Sequence, residues 1–184
     1  TYVVDLSPGR DELLSKFSSD ARRNATNEPD ADVEIREGGA AAVRRIIEQV
    51  KERHDEQGES YLLSAETVSA LHRELPDDAL RPYVCTVDGQ FAGGVVVLDD
   101  GDAVYRWQGG AKTDSNVSIN DRLDWRIMTD AIDRGRSEYD LVGANNQRLC
   151  GYKAKFAPDL RTYYSIQDGT RSMNLVSGLY KQFR

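Results

Sequence analysis

The chain has 184 residues, a net charge of −7, 39% hydrophobic residues and 30% charged residues. That length suits one α/β domain with a sizeable core, and the hydrophobic fraction excludes a disordered chain. The acidic balance argues against nonspecific nucleic-acid binding, which needs a basic surface, and no apolar run approaches the roughly 18 to 20 residues that span a bilayer.

The predicted elements follow from hydrophobic period and turn chemistry. "YVVDL" (2–6) reads as a short strand. Residues 9–25 carry Leu13, Leu14, Phe17 and Ala21 at helical spacing and read as one helix. "DVEIREG" (32–38) alternates Val33 and Ile35 with charge, as a half-buried strand does. Residues 40–55 form an amphipathic helix with Val43, Ile46, Ile47 and Val50 on one face. A third helix starts at Ser64, a good N-cap, and ends before Pro76. Residues 81–111 then change to period two and hold three strands, with Asp88-Gly89 as a hairpin turn. Ser118 and Asp121 resemble a capping box opening a helix to about Arg134. A buried strand (139–143), a short helix (146–155), a strand (161–166) and a terminal helix (170–183) complete the order.

Several stretches resemble known sequences. From residue 32 the order β-α-α-β-β-β-α-β-α-β is similar to that of the GNAT acyltransferase fold. "LLSKFSSDARRNATNEPDADVEIREGG", "YRWQGGA", "LDWRIMTDAIDRGRSEYDLVGA" and "GYKAKFAPDL" resemble segments of the Fem-type peptidyltransferases and the broader BioF2-like acyltransferases. The resemblance implies an α/β (α+β) fold with a mixed central sheet, an antiparallel meander and flanking helices. Residues 1–31 are expected as an N-terminal strand and helix packing on a GNAT-like domain of residues 32–184. Fem-type proteins carry two such domains, and this chain starts at Thr1 without an initiator Met. It is therefore expected to be the C-terminal half of a longer protein whose N-terminal partner domain lies outside it.

The resemblance also implies an activity: moving an acyl or aminoacyl group from acyl-CoA or aminoacyl-tRNA to an amine, either a small molecule or a peptidoglycan-like acceptor. Two departures stand out. "GGAKTDSNVSIN" occupies the place of the pyrophosphate-binding loop of CoA-dependent GNAT enzymes, and Ala157 replaces the usual Gly after Phe156. The alternative function is a non-catalytic, degenerate GNAT domain that holds a ligand or completes a cleft. What separates the two is whether a gap exists between the 103–109 and 139–143 strands with Lys153 pointing into it.

Lys153 falls on the family's "f-K" position and is the expected catalytic residue, since a preorganised cation can stabilise a developing oxyanion by roughly 3 kcal/mol. Lys155, two residues on, is a further substrate-binding candidate: on a strand it would share the face of Lys153 and reach the same anion, whereas on a helix it diverges by about 200° and is expected to face water. Arg22 and Arg23 match the family's arginine pair, and their guanidiniums fit phosphate; an exposed surface pair is the competing reading. Tyr105 and Trp107 on the third meander strand are expected on one face, with Arg106 on the other. They serve either a substrate gap or the core. Asn145 and Asn146 follow the 139–143 strand, where α/β sheets place ligand contacts, or they cap the next helix. His54 and His72 read as surface histidines. Cys85 and Cys150 form no disulfide or metal framework, so a reducing cytoplasm is the default. No metal-ligand spacing or nucleophile–base pattern stands out, and direct attack by an amine needs none. Eighteen arginines against six lysines in an acidic chain suggest adaptation to high salt.

Overall fold

The computed structural model describes residues 1–111, 117–143 and 147–164. Seven strands form one sheet: β1 (Tyr2–Asp5), β2 (Val33–Glu37), β3 (Leu80–Val87), β4 (Gln90–Asp99), β5 (Ala103–Ala111), β6 (Glu138–Asp140) and β7 (Asp159–Leu160), in the order β2-β3-β4-β5-β6-β1-β7. The β3–β4–β5 meander is antiparallel, and among the described residues only the β5–β6 pair is parallel. Asp88 and Gly89 both take positive φ, 49° and 74°, as the two-residue hairpin demands.

Helices cover both faces. α3 (Ala40–Glu56) and α4 (Ala65–Glu74) lie on one; α1 (Arg10–Lys16), α2 (Ser19–Thr26), α5 (Ile119–Asp133) and α6 (Gln147–Ala154) lie on the other. The meander therefore buries alternate residues in two cores. Val84 and Val96 join Val43, Ile46, Ile47 and Val68 on the α3–α4 side. Tyr83, Cys85, Val95 and Val97 join Leu123, Ile127 and Met128 on the other. β1 sits inside the sheet, antiparallel to both β6 and β7.

The structure departs from the sequence-based expectations in four places. The helix expected over 9–25 is two helices. Phe17 turns extended, with its ring buried edge-on against Trp125 (5.6 Å) and Phe156 (5.2 Å). Ser18 then caps α2 by accepting from the Ala21 amide, and its own amide donates to the Lys155 carbonyl at 2.8 Å. Burial of the aromatic outweighs helix continuity. Ser118 makes no side-chain cap, and the Asp121 carboxylate does not reach back to it but accepts from Asn24 (2.7 Å) and Lys155. β6 ends at Asp140, since Val142 (φ 43°) and Gly143 (φ 62°) swing the chain off the sheet. The last described strand is Asp159–Leu160, not 161–166, and Arg161–Tyr164 belong to no strand. The helix expected over 170–183 lies outside the described residues.

Candidate active site

β5 and β6 pair only over Ala103–Tyr105 and Glu138–Asp140. Beyond that point they part. β5 leaves because its register against β4 slips: Val96 faces Gln108 and Val97 faces Arg106, so Trp107 is the extra residue of a bulge. Gly109 makes the departure sterically feasible. Its φ is 113°, and a Cβ there would stand 2.2 Å from the Gly94 carbonyl oxygen. The parted ends enclose a cavity of about 640 Å³, closed by Arg53 of α3, Asn120 of α5 and one face of α6. Asn120 replaces the lost strand partner. Its Oδ1 accepts from the Ala111 amide (2.9 Å), and its Nδ2 donates to the Ala111 carbonyl (3.2 Å).

Lys153 lies in the last turn of α6, 8% exposed, and lines this cavity. Its Nζ donates to the carbonyls of Val142 and Gly143, the latter at 2.7 Å. An ammonium has three N–H donors, so one remains beyond these two carbonyls. Burial, and then the charge of Arg106, holds the Lys153 pKa below the ordinary lysine value.

Behind the wall stands Asp124 of α5, which is 0% exposed. Its carboxylate accepts from Arg106 Nε (2.7 Å, β5), the Tyr139 hydroxyl (2.7 Å, β6) and the Tyr152 hydroxyl (2.5 Å, α6). One carboxylate thus joins the three elements that shape the cavity. Burial and Asp124 push both tyrosines well above the ordinary phenol range. Burial alone would depress Arg106, but Asp124 outweighs it and raises its pKa.

Of the candidates drawn from sequence, the structure brings Lys153 and Trp107 together at the cavity. Arg106 joins them there, against the expected alternation, because the bulge at Trp107 resets the phase. Tyr105 does not line it; its hydroxyl donates to Asp100 (2.8 Å), and that bond pushes its pKa up to about 12. Arg22 and Arg23 are exposed on α2, away from the cavity, with Arg23 paired to Asp20 at 2.8 Å. Lys155 does not face water. It pairs with the buried Asp121 and sits over the Tyr152 ring, 4.1 Å from its centroid. Asn145 and Asn146 lie outside the described residues. His54 is half-buried and not fully on the surface: it stacks on Tyr61 (5.1 Å), with Nδ1 3.2 Å from Glu59.

Sequence reasoning missed Asp124, Asn120, Arg53 and the tyrosines. Asp124 left a readable signal, an acidic residue in phase with Leu123, Ile127, Met128 and Ala131 on the buried face of α5. Among the described residues no group of three or more His, Cys, Asp or Glu could hold a metal ion, and no helix is long and apolar enough to cross a membrane.

Comparison with known proteins places this geometry. Residues 15–154 match the family described as the acetyltransferase (GNAT) domain. The fold is similar to the crystal structure of FemX, at 12% identity and a TM-score of 0.75, over 86% of this chain and 58% of that one. It is similar to the ribosomal-protein-alanine N-acetyltransferase of Brucella melitensis biovar Abortus 2308, at 16% identity and a TM-score of 0.57, over 74% and 99%. A predicted acetyltransferase with acetyl-CoA from Clostridium acetobutylicum is similar at 13% identity and a TM-score of 0.55, over 74% and 96%. At these identities the likeness is one of fold. A comparison with curated proteins gives no match. The chain covers little more than half of the length of FemX.

Proposed function

The chain belongs to the GNAT acetyltransferase domain family, and from that premise we propose that it moves an acyl or aminoacyl group onto an amine, with Lys153 stabilising the developing oxyanion. The observation that carries this reading is Lys153 itself, a buried ammonium in the gap between β5 and β6 with two of its donors tied to main-chain carbonyls. Such anchoring preorganises the charge, so that little reorganisation is needed when the reaction needs the third donor.

The step balances without a covalent enzyme intermediate. The amine nitrogen attacks the carbonyl carbon of a thioester or ester, and the carbonyl oxygen gains negative charge beside Lys153. Collapse breaks the C–S or C–O bond, forming the amide. The leaving thiol or hydroxyl takes up a proton, and the amine nitrogen loses one. Positioning supplies most of the acceleration.

Two donors fit the reading, acyl-CoA and aminoacyl-tRNA. The FemX-like fold and the sequence resemblance to Fem-type proteins favour the second. The replacement of the pyrophosphate loop by "GGAKTDSNVSIN" weighs against the first. We further propose that the acceptor, a small or peptidoglycan-like amine, meets this domain in a cleft completed by an N-terminal partner domain, because the chain covers 58% of FemX. The test is to supply the complete protein with labelled acetyl-CoA or labelled aminoacyl-tRNA and a panel of amines. Labelled amide from either donor supports the proposal. No amide from both, with the protein folded, overturns it.

A further inference from the structure

The cavity carries four basic side chains, Arg53, Arg106, Arg148 and Lys153, and no carboxylate among its described lining residues. This is a cationic island in a chain of net charge −7. Arg106 has a counter-charge in Asp124. Arg53 differs: its Nε and Nη2 are buried and have no hydrogen-bond partner among the described residues. Burial, and then the charge of Arg106, lowers its pKa, with Glu56 offsetting part of this and Arg148 adding to it.

The two guanidiniums converge on one spot. The point where a Cβ would stand on Gly110 lies 3.1 Å from Asn120 Oδ1, 3.6 Å from Arg106 Nη2 and 3.8 Å from Arg53 Nη1. Gly110 lines the cavity, and any side chain there would crowd these groups. Like charges held together away from water repel, and buried donors without acceptors carry a desolvation penalty. An oxyanion drawn to Arg53 Nη1 and Arg106 Nη2 lowers that repulsion, since guanidinium forks match the oxygens of a carboxylate or a phosphate.

We propose that Arg53 and Arg106 form an oxyanion receptor on the Gly110 face of the cavity, binding a carboxylate or phosphate group of a substrate. The word substrate rests on the transferase reading above. The receptor itself rests on the geometry alone. It narrows the substrate class to a molecule that bears an oxyanion, either a carboxylate on the amine acceptor or a phosphate on the donor.

The test is a titration of the whole protein with inorganic phosphate and, separately, with acetate, at constant ionic strength. Thermal midpoint and tryptophan fluorescence are read for wild type, Arg53→Gln, Arg53→Lys and the solvent-facing control Lys51→Gln. A saturable rise in midpoint is expected for wild type and Lys51→Gln with at least one anion. Arg53→Gln should weaken that binding at least tenfold, with Arg53→Lys between the two. Without anion, Arg53→Gln should be no less stable than wild type, because it removes a half-buried cation that desolvation and the charge of Arg106 disfavour. A response to acetate alone assigns the site to a carboxylate, and one to phosphate alone or to both assigns it to a phosphate-tolerant receptor. No saturable response in wild type, or an undiminished one in Arg53→Gln, overturns the proposal. Because the titration needs no turnover, binding without amide formation would count against the transferase reading and leave the receptor standing.

Discussion

Replacing Asp124 by Asn is the sharpest structural perturbation available. The side chain keeps its volume but loses its charge, and its amide nitrogen cannot accept a hydrogen bond. Three donors converge on the carboxylate, one of them the guanidinium of Arg106, whose side chain is 16% exposed. With Asp124 fully buried, solvent does not screen the pair. Removing one partner of a buried pair leaves an uncompensated charge and costs about 3–5 kcal/mol. For a domain of this size each kcal/mol moves the thermal midpoint by about 2–4 °C, so Asp124→Asn should melt roughly 10 °C lower. Denaturant unfolding followed by circular dichroism measures the change. The double variant Asp124→Leu/Arg106→Met removes both charges and should recover only the part of the loss due to the unpaired charge, since an apolar pair is often neutral while the Tyr139 and Tyr152 hydroxyls still lose their acceptor. A loss below about 1 kcal/mol for Asp124→Asn, the size of one ordinary hydrogen bond, would refute the view that this carboxylate clamps the cavity walls.

Other consequences follow from the same geometry. Lys153 must be protonated to donate, and burial lowers its pKa below 10.5, so the transfer rate should fall on the alkaline side at a pH below that value. The sign for stability is the reverse: protonated Lys153 is a penalty at neutral pH, relieved as pH rises through its folded pKa, so Lys153→Met should be at least as stable as wild type at pH 7. Gly109→Ala should disrupt the β4–β5 pairing and lower the denaturation midpoint, because its Cβ would meet the Gly94 carbonyl oxygen at 2.2 Å; an unchanged midpoint would contradict the bulge geometry. Calorimetry should find acyl-CoA binding to this chain weaker than micromolar, and sub-micromolar affinity would overturn the reading of "GGAKTDSNVSIN" as a lost phosphate loop.

Much of the scaffold was legible because it follows local rules. The Asp88-Gly89 turn, the buried face of α3 and the Ser64 cap each follow from a few adjacent residues. The segment around Phe17 was not legible, since the ring's partners Trp125 and Phe156 lie more than a hundred residues away and decide against helix continuity. The side of β5 that Trp107 and Arg106 take depends on a register slip against β4 that no alternation pattern reveals. Lys153 was reached through family resemblance, not through its spacing. The fate of Lys155 depended on a buried aspartate in another helix. Charges buried in pairs look, in one dimension, like charges in water.

The claim that Lys153 stabilises the reacting oxyanion is tested most directly by the rate of amide formation in Lys153→Ala and Lys51→Ala, each compared with wild type in the complete protein. Losing one oxyanion donor lowers the rate by about 10²–10³-fold, so Lys153→Ala should fall by about 10²-fold or more. The far-ultraviolet spectrum should be unchanged, and Lys51→Ala, exposed on α3, should stay near wild type. Equal rates for the two variants, with both folded, would contradict the assignment.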